Sequence, residues 1–107
     1  MNKEVLKGSI DLMILALLSQ KDSYGYQLTK DIQLKSQSIF EISEGTLYPA
    51  LKRLELKSFI QSYWVTTEQS TRRKYYHLTE LGQAELIQSY QDWQTLFKII
   101  NLFMEAD

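Results

Sequence analysis

The sequence predicts a mostly α-helical protein that carries one small β-hairpin. Three observations support this fold class. Apolar residues recur at helical spacing in three segments before residue 57, two short runs rich in β-branched and aromatic residues lie between residues 60 and 78, and a heptad pattern runs through residues 79–107. Three helices, a hairpin and a last helix predict a winged helix-turn-helix, residues 1–78, with one long C-terminal dimerisation helix, residues 79–107, in the same compact unit.

The composition fits one soluble globular domain. The chain has 107 residues, of which 44% are hydrophobic and 23% charged, and it contains no cysteine. Disulfide frameworks and thiolate chemistry are therefore excluded, which fits the cytoplasmic location that we expect. The longest apolar run, residues 12–18, is far shorter than the roughly 20 residues that span a bilayer. Glu4 and Asp11 interrupt the N-terminal region, which argues against a signal peptide.

The first helix is predicted at residues 9–20. Its apolar stripe consists of Ile10, Met13, Ile14, Leu17 and Leu18, and Leu12, Leu15 and Ala16 widen it. A helix that is apolar on most sides is usually buried between two partners, so one side is expected to face something beyond its own domain.

The second helix is predicted at residues 24–35, with Ser23 as its cap and with Tyr24, Leu28 and Ile32 facing inward. Gly25 lies in its first turn, where glycine costs about 1 kcal/mol relative to alanine. We therefore expect close packing of a neighbouring group against Gly25.

The third helix, residues 43–57, is the candidate for entering a DNA groove. Ser43 is its predicted N-cap, and Leu47, Ala50, Leu51 and Leu54 form its apolar face. The candidate DNA-binding residues of this segment are Ser43, Gly45, Thr46, Tyr48, Lys52 and Arg53. Surface helices also carry outward cations, so this helix alone leaves a plain surface helix as an equal alternative. Pro49 removes the backbone bond to Gly45, which predicts a kink that helps to aim Tyr48.

Residues 60–65 and 74–78 are predicted to pair as a wing across the polar loop 66–71. The second strand opens with Arg72, Arg73 and Lys74, three further candidate DNA-binding residues. Adjacent cations often form only a solvated surface, but beside a recognition helix they suit contact with backbone phosphates.

The overall charge argues against nucleic-acid binding, whereas its distribution favours it. The net charge is −1 at neutral pH. Residues 43–79 hold six cations and three anions, a net +3, and residues 80–107 hold one cation and five anions, a net −4. The positive field is thus confined to the segment that carries the predicted recognition helix and wing.

The last helix, residues 79–107, has Thr79 as its predicted cap. Its heptad seam comprises Leu86, Tyr90, Trp93, Phe97, Ile100 and Met104. About 26 helical residues span roughly 39 Å, and one small domain offers no obvious partner for such a stripe. We predict a two-fold homodimer joined by this helix; the alternative is that the helix folds back onto its own domain.

Three motifs make the chain recognisable: SYGY at 23–26, EGTLYPALKRLE at 44–55 and RKYYHLTELG at 73–82. They resemble the PadR family of bacterial transcriptional regulators, and the single C-terminal helix resembles its short subfamily, which includes multidrug-sensing repressors. The resemblance implies a winged-helix dimer that represses transcription from an inverted-repeat operator in double-stranded DNA and is released by an effector. Tyr48 and Lys52 would lie on the recognition helix, and Arg73 and Lys74 on the wing.

The sequence departs from the family pattern in two places. Ser58 stands where the family often has glycine after the third helix, so we expect the helix end to be either strained or differently turned. The wing loop has no glycine and carries Glu68, which would repel phosphate, so the sequence supports DNA contact by the recognition helix more strongly than contact by the wing.

The resemblance also suggests where an effector would bind. In drug-sensing members, paired tryptophans at the place of Trp93 flank a flat aromatic ligand, and two indole faces about 7 Å apart suit stacking. The candidate ligand-binding residues are Trp93, Tyr90, Phe97, Leu12 and Ala16. Trp93 as an ordinary dimer-core residue is the alternative.

An enzyme is the least supported class. The sequence has one histidine, His77, which we interpret as structural or solvent-facing, and it shows no Gly-rich phosphate loop and no carboxylate cluster with ligand spacing. No metal or cofactor is expected. The remaining alternative to a DNA-binding regulator is a dimeric winged-helix module that binds proteins and not DNA.

Overall fold

The computed structural model describes residues 8–105, so Glu4 and the rest of the first seven residues that bear on a signal peptide lie outside it. The elements, in chain order, are α1 (Ile10–Gln20), β1 (Ser23–Tyr24), α2 (Gly25–Lys35), α3 (Glu44–Leu56), β2 (Ile60–Thr66), β3 (Arg72–Leu78) and α4 (Glu80–Met104). The predicted mostly helical fold with a hairpin and a long last helix is confirmed. Among the described helices, none is long and apolar enough to cross a membrane.

The three strands form one antiparallel sheet in the order β1-β3-β2. The predicted hairpin is confirmed, with Ile60 opposite Leu78 at one end and Thr66 opposite Arg72 beside the turn. The strand β1 corrects the prediction that Ser23 caps the second helix. Ser23 and Tyr24 pair with Tyr76 and Tyr75, and Tyr24 occupies the N-cap position without a side-chain cap bond.

The core lies between the first three helices and the inner face of the sheet. Its fully buried large side chains are Ile14, Leu15, Leu28, Leu47, Leu51, Leu54 and Ile60. Burial of each such side chain stabilises the fold by about 1.5 to 3 kcal/mol. The predicted apolar stripes of α1, α2 and α3 therefore meet, which turns the polar face of α3 outward.

The start of α3 follows the prediction. The Ser43 hydroxyl accepts a hydrogen bond from the Thr46 amide at 3.2 Å, so Ser43 is the N-cap. Pro49 lies inside the helix and donates no bond to Gly45, and the helix is continuous from Glu44 to Leu56. The kink expected at Pro49 stays a prediction.

The end of α3 is turned by Ser58 in a left-handed conformation, with φ of 64°. The Phe59 amide donates to the Leu54 carbonyl and the Ser58 amide to the Glu55 carbonyl, each at 3.0 Å. This pair of bonds is the Schellman arrangement, in which glycine is usual because side chains disfavour positive φ. Of the two expected outcomes, the helix end is therefore strained and not differently turned, because a serine takes the left-handed position of the usual turn.

The last helix leaves the winged body instead of folding back over it. Thr79 caps it, as predicted, by accepting a bond from the Gly82 amide at 3.0 Å, and Leu86 packs partly against the core. Every residue from 94 to 104 is exposed, and the described chain measures 64 × 29 × 21 Å. The end of α4 therefore projects from the domain with its apolar side chains uncovered.

Candidate nucleic-acid interface

The outward face of α3 presents most of the residues predicted to contact DNA. Gly45, Thr46, Tyr48 and Lys52 are all exposed. Arg53 is exposed too, but its guanidinium lies 3.0 Å from Oδ1 of Asp11 on α1, so this cation is directed toward the body of the domain. An exposed ion pair of this kind contributes only about 0 to 1 kcal/mol to stability, so Arg53 remains able to exchange partners.

Tyr48 is held in place by the glycine at the start of α2. A Cβ atom added at Gly25 would lie 2.6 Å from the Tyr48 hydroxyl oxygen and 2.8 Å from Cζ. The predicted close packing at Gly25 is thus confirmed, and its neighbour is the aromatic ring of the recognition helix. The ring keeps 46% of its surface exposed, so it is anchored on one side and available on the other.

The three wing cations stand at the end of the hairpin nearest the turn, and each lies over an aromatic ring. The Arg72 guanidinium is 4.6 Å from the centroid of Trp64, that of Arg73 is 4.1 Å from Tyr24, and Nζ of Lys74 is 5.7 Å from Tyr76. Such contacts stabilise by about 0.5 to 1 kcal/mol at exposed sites and limit the freedom of the cations.

The wing turn closes without glycine. The Thr67 amide donates to the Thr71 carbonyl at 2.7 Å, and Ser70 adopts the positive φ of 64° that glycine would otherwise supply. Glu68 lies in this exposed turn. The wing turn therefore carries one carboxylate, four positions before the first wing cation, Arg72.

A cleft of about 400 Å³ separates the recognition helix from the wing. Its lining brings together Tyr24, Gly25, Tyr26, Tyr48, Trp64, Arg72, Arg73 and Lys74. Tyr48 and the three cations were predicted to act from separate elements, and the fold places them around one opening. Ser43, Gly45, Thr46 and Lys52 lie outside this lining.

Sequence reasoning assigned three aromatic residues of this cleft to other roles or to none. The sequence predicts that Tyr24 faces inward, and Trp64 and Tyr26 are not among its candidate DNA-binding residues. Their signal in the sequence is weak because aromatic residues are common in strands. Only the pairing of β1 with β3 brings Tyr24 beside the wing.

The face of the wing that carries Tyr63, Arg73 and His77 is tied to the turn between α1 and β1. The Tyr63 hydroxyl donates to Oδ2 of Asp22 at 2.5 Å, and Nδ1 of His77 lies 2.8 Å from Oδ1. Burial acts to raise the pKa of Asp22, but the bonds from Tyr63 and His77 outweigh it and the pKa lies below its usual value. The same hydrogen bond raises the pKa of Tyr63 to about 12.

Comparison with known proteins assigns this arrangement to a family. The model of the PadR-like family of transcriptional regulators matches residues 14–88, which include α3 and the wing. The chain belongs to the PadR-like transcriptional regulators. Membership implies regulation through DNA binding, in a family of regulators and not of enzymes.

Individual relatives agree with this assignment. A transcriptional regulator from Clostridium thermocellum has a TM-score of 0.89 and 39% identity, with 98% of this chain and 99% of that chain covered. A PadR family transcription regulator from Clostridium difficile has a TM-score of 0.76 and 43% identity over 91% and 99% of the two chains.

Among curated proteins, an uncharacterized protein of Lysinibacillus sphaericus is 38% identical over 96% of this chain and 94% of its own length. Transcriptional regulator YqjI of Escherichia coli is 37% identical over 70% of this chain but only 34% of its own length.

In this PadR-family chain the residues proposed for an effector lie in different places. Trp93 is half-buried and lines an opening of about 190 Å³ with Leu12, beside Gly8. Tyr90 and Phe97 are 58% and 65% exposed on the outer surface of α4. Ala16 lines a separate groove of about 330 Å³ between α1 and α2. Within one chain, Trp93 and Leu12 therefore line the same opening, whereas Tyr90, Phe97 and Ala16 lie elsewhere.

Proposed function

We propose that this PadR-family protein is a cytoplasmic, homodimeric repressor that binds an inverted-repeat operator through α3 and the wing. The observation that carries the proposal is the cleft in which Tyr48 of the recognition helix faces the three wing cations. Phosphate contacts by such cations fix the register of a protein on DNA, whereas side chains of the recognition helix contact base edges. In a two-fold dimer, two copies of Tyr48 and Lys52 would approach one side of a duplex about one helical turn, 34 to 36 Å, apart.

The direct test is the salt dependence of binding to the protein's own promoter fragment. We expect the association constant to fall steeply with salt, with a log-log slope near −0.9 for each phosphate neutralised. Fluorescence anisotropy of a labelled duplex between about 50 and 200 mM salt measures this slope. A scrambled duplex of equal length is the control for sequence preference. Undetectable binding, or binding without salt dependence, would favour the protein-binding module instead.

The proposal of a dimer rests on the uncovered side of α4. Its exposed apolar side chains beyond Trp93 are Leu96, Phe97, Ile99, Ile100, Leu102, Phe103 and Met104. At 100° per residue they cover an arc of about 220°, interrupted only by Thr95. The side of α4 that packs on its own domain at Leu86 and Trp93 continues through Ile100 and Met104 beyond the reach of that domain. A second copy would cover this continuous stripe, and patches of this kind seldom stay exposed on monomers.

Light scattering at micromolar concentration tests the dimer. We expect twice the mass of one chain for the wild type and a monomer for the double substitution Phe97→Glu and Ile100→Glu, because two carboxylates would be buried in an apolar contact. The matched control changes Gln94→Glu and Asn101→Glu on the polar stripe of the same helix, which adds the same two negative charges, and it should remain dimeric. A monomeric wild type would refute the seam.

We further propose that a planar hydrophobic effector binds at the dimer interface beside Trp93 and releases the repressor from DNA. The half-exposed indole of Trp93 and the exposed rings of Tyr90 and Phe97 support this proposal, since a partner copy would bring a second set of the same rings.

Quenching of indole fluorescence by planar dyes tests the effector site. We expect quenching to survive in Trp64→Phe, which retains Trp93, and to disappear in Trp93→Ala, which retains Trp64. Unchanged quenching in Trp93→Ala would place dye binding elsewhere and exclude the proposed slot.

A further inference from the structure

We infer that four consecutive residues between α1 and α2, Asp22 to Gly25, position the wing and the recognition helix relative to one another. We call residues 22–25 the coupling segment. The inference rests on the proposed function in that both elements are taken to contact DNA. The coupling segment itself is distant in sequence from the two elements, and each of its contacts with them is a tertiary contact.

Tyr24 connects the coupling segment to the wing cations. It pairs with Tyr75 in the sheet, and the two ring centroids are 5.3 Å apart. The Arg73 guanidinium lies over the Tyr24 ring, 4.1 Å from its centroid. This is the shortest of the three cation-to-ring distances on the wing. The Tyr24 ring therefore sets where Arg73 stands above the cleft.

Gly25 connects the same segment to the recognition helix. The Tyr48 ring occupies the space that any larger residue at position 25 would need. Because Tyr24 and Gly25 are adjacent, the supports of Arg73 and Tyr48 are one peptide unit apart, or about 3.8 Å between Cα atoms. A shift of this backbone displaces the cation and the aromatic ring together.

Asp22 holds the wing on the same face of the sheet, because Tyr63, Tyr75 and His77 share the face that carries Tyr24 and Arg73. Its two carboxylate oxygens contact Tyr63 on β2 and His77 on β3, and the Tyr63 ring stacks on Tyr75 with centroids 5.8 Å apart. Tyr75 thus lies between Tyr63 and Tyr24, so the contacts of Asp22 and of Tyr24 meet on one ring. The hairpin is supported at both strands by a segment that also packs against α3.

These contacts predict that substitutions in the coupling segment affect DNA binding through Arg73 and Tyr48. Asp22, Tyr24 and Gly25 are positioning residues: they act through Arg73 and Tyr48. Substitutions in the coupling segment should alter DNA binding only while their targets are present. A merely structural role would lower stability and affinity regardless of whether Arg73 or Tyr48 is there.

The first experiment needs no DNA. Side-chain proton shifts of Arg73, measured by NMR on the full-length free protein, should show the ring-current displacement of a group held over an aromatic face. Tyr24→Phe retains the ring and should keep the displacement, whereas Tyr24→Leu should abolish it. Shifts of Arg73 that are the same in wild type and Tyr24→Leu would overturn the inference. If the wild type shows the displacement but does not bind DNA, the proposed function is refuted and the role of the coupling segment is supported.

The second experiment uses promoter DNA and two double-mutant cycles. Tyr24→Leu should lower affinity about two- to fivefold and should have no further effect in an Arg73→Gln background. Gly25→Ala should reduce the preference for the operator over scrambled DNA, and it should have no further effect when Tyr48→Ala has removed the obstructing ring. The control cycle pairs Tyr24→Leu with Lys52→Gln, which should be additive. Additivity in all three cycles would overturn the inference. Thermal melts of each variant show whether the compared proteins are folded.

Discussion

Replacing Gly82 with alanine is expected to cost about 3 kcal/mol or more of stability and to yield a poorly folded protein. A Cβ atom at this position would overlap the backbone carbonyl oxygen of Phe59 and approach Leu78 Cδ1 to 2.7 Å. Forcing extra atoms into packed structure typically costs about 1 to 3 kcal/mol, and more where the obstructing atom belongs to the backbone.

The surroundings of Gly82 leave little room to relax. The Thr79 amide donates to the Phe59 carbonyl at 3.0 Å, and the Thr79 hydroxyl accepts from the Gly82 amide at 3.0 Å. Moving α4 away from Phe59 would therefore stretch both the cap of α4 and its attachment to the end of α3. The substitution is expected to damage the junction between the winged body and the long helix.

Urea unfolding followed by circular dichroism measures the effect of Gly82→Ala. Gly45→Ala is the matched control, since it makes the same change in a helix where the nearest atom to the added Cβ is 3.6 Å away. There the substitution should stabilise the protein by up to about 1 kcal/mol through helix propensity. Equal stability of Gly82→Ala and wild type would contradict the packing at the α4 junction.

Removing the three wing cations is expected to produce the largest loss of DNA affinity. The triple substitution of Arg72, Arg73 and Lys74 by glutamine should make the log-log slope of association constant against salt less steep. The expected change is about 0.9 for each lost phosphate contact, or about 2 to 3 for each bound wing. At about 1 kcal/mol per contact, affinity should fall about 100-fold per wing.

A charge-matched control separates local contact from overall charge. Lys21, Lys35 and Lys98 are exposed outside the cleft, and their replacement by glutamine removes the same three charges. This variant should keep a slope close to that of wild type, apart from a small change in long-range attraction. If both triple variants lose affinity and slope equally, the wing makes no specific contact with phosphate.

Much of the fold was predictable because its signals are local. Ser43 and Thr79 cap their helices as the sequence indicated, and the apolar spacing of Leu47, Leu51 and Leu54 marked the buried side of α3. The hairpin followed from two aromatic and β-branched runs separated by a polar loop. The missing glycine after α3 was also visible in the sequence, and Ser58 there takes the left-handed conformation that glycine adopts without strain.

The candidate site was predictable only in part. The sequence indicated Tyr48 and the three wing cations, but it gave no direction to their side chains. Arg53 is turned toward Asp11, which stands 42 positions earlier, and Ala16 and Trp93 line different openings although both were proposed for one slot. Spacing along a helix assigns a residue to a face, whereas ion pairing and groove formation depend on which other helix lies opposite.

The sequence by itself determined which segments are helix and wing, where the positive charge is concentrated and, through its motifs, the family. The tertiary structure alone decided the role of residues 22–25. Ser23 and Tyr24 form a strand only because β3, about 50 residues later, offers a free edge for pairing, and Gly25 is needed only because Tyr48 lies against it. Such contacts join residues with no periodic relation in the chain, so a local pattern can mark Gly25 as a position of close packing but cannot say which side chain packs there.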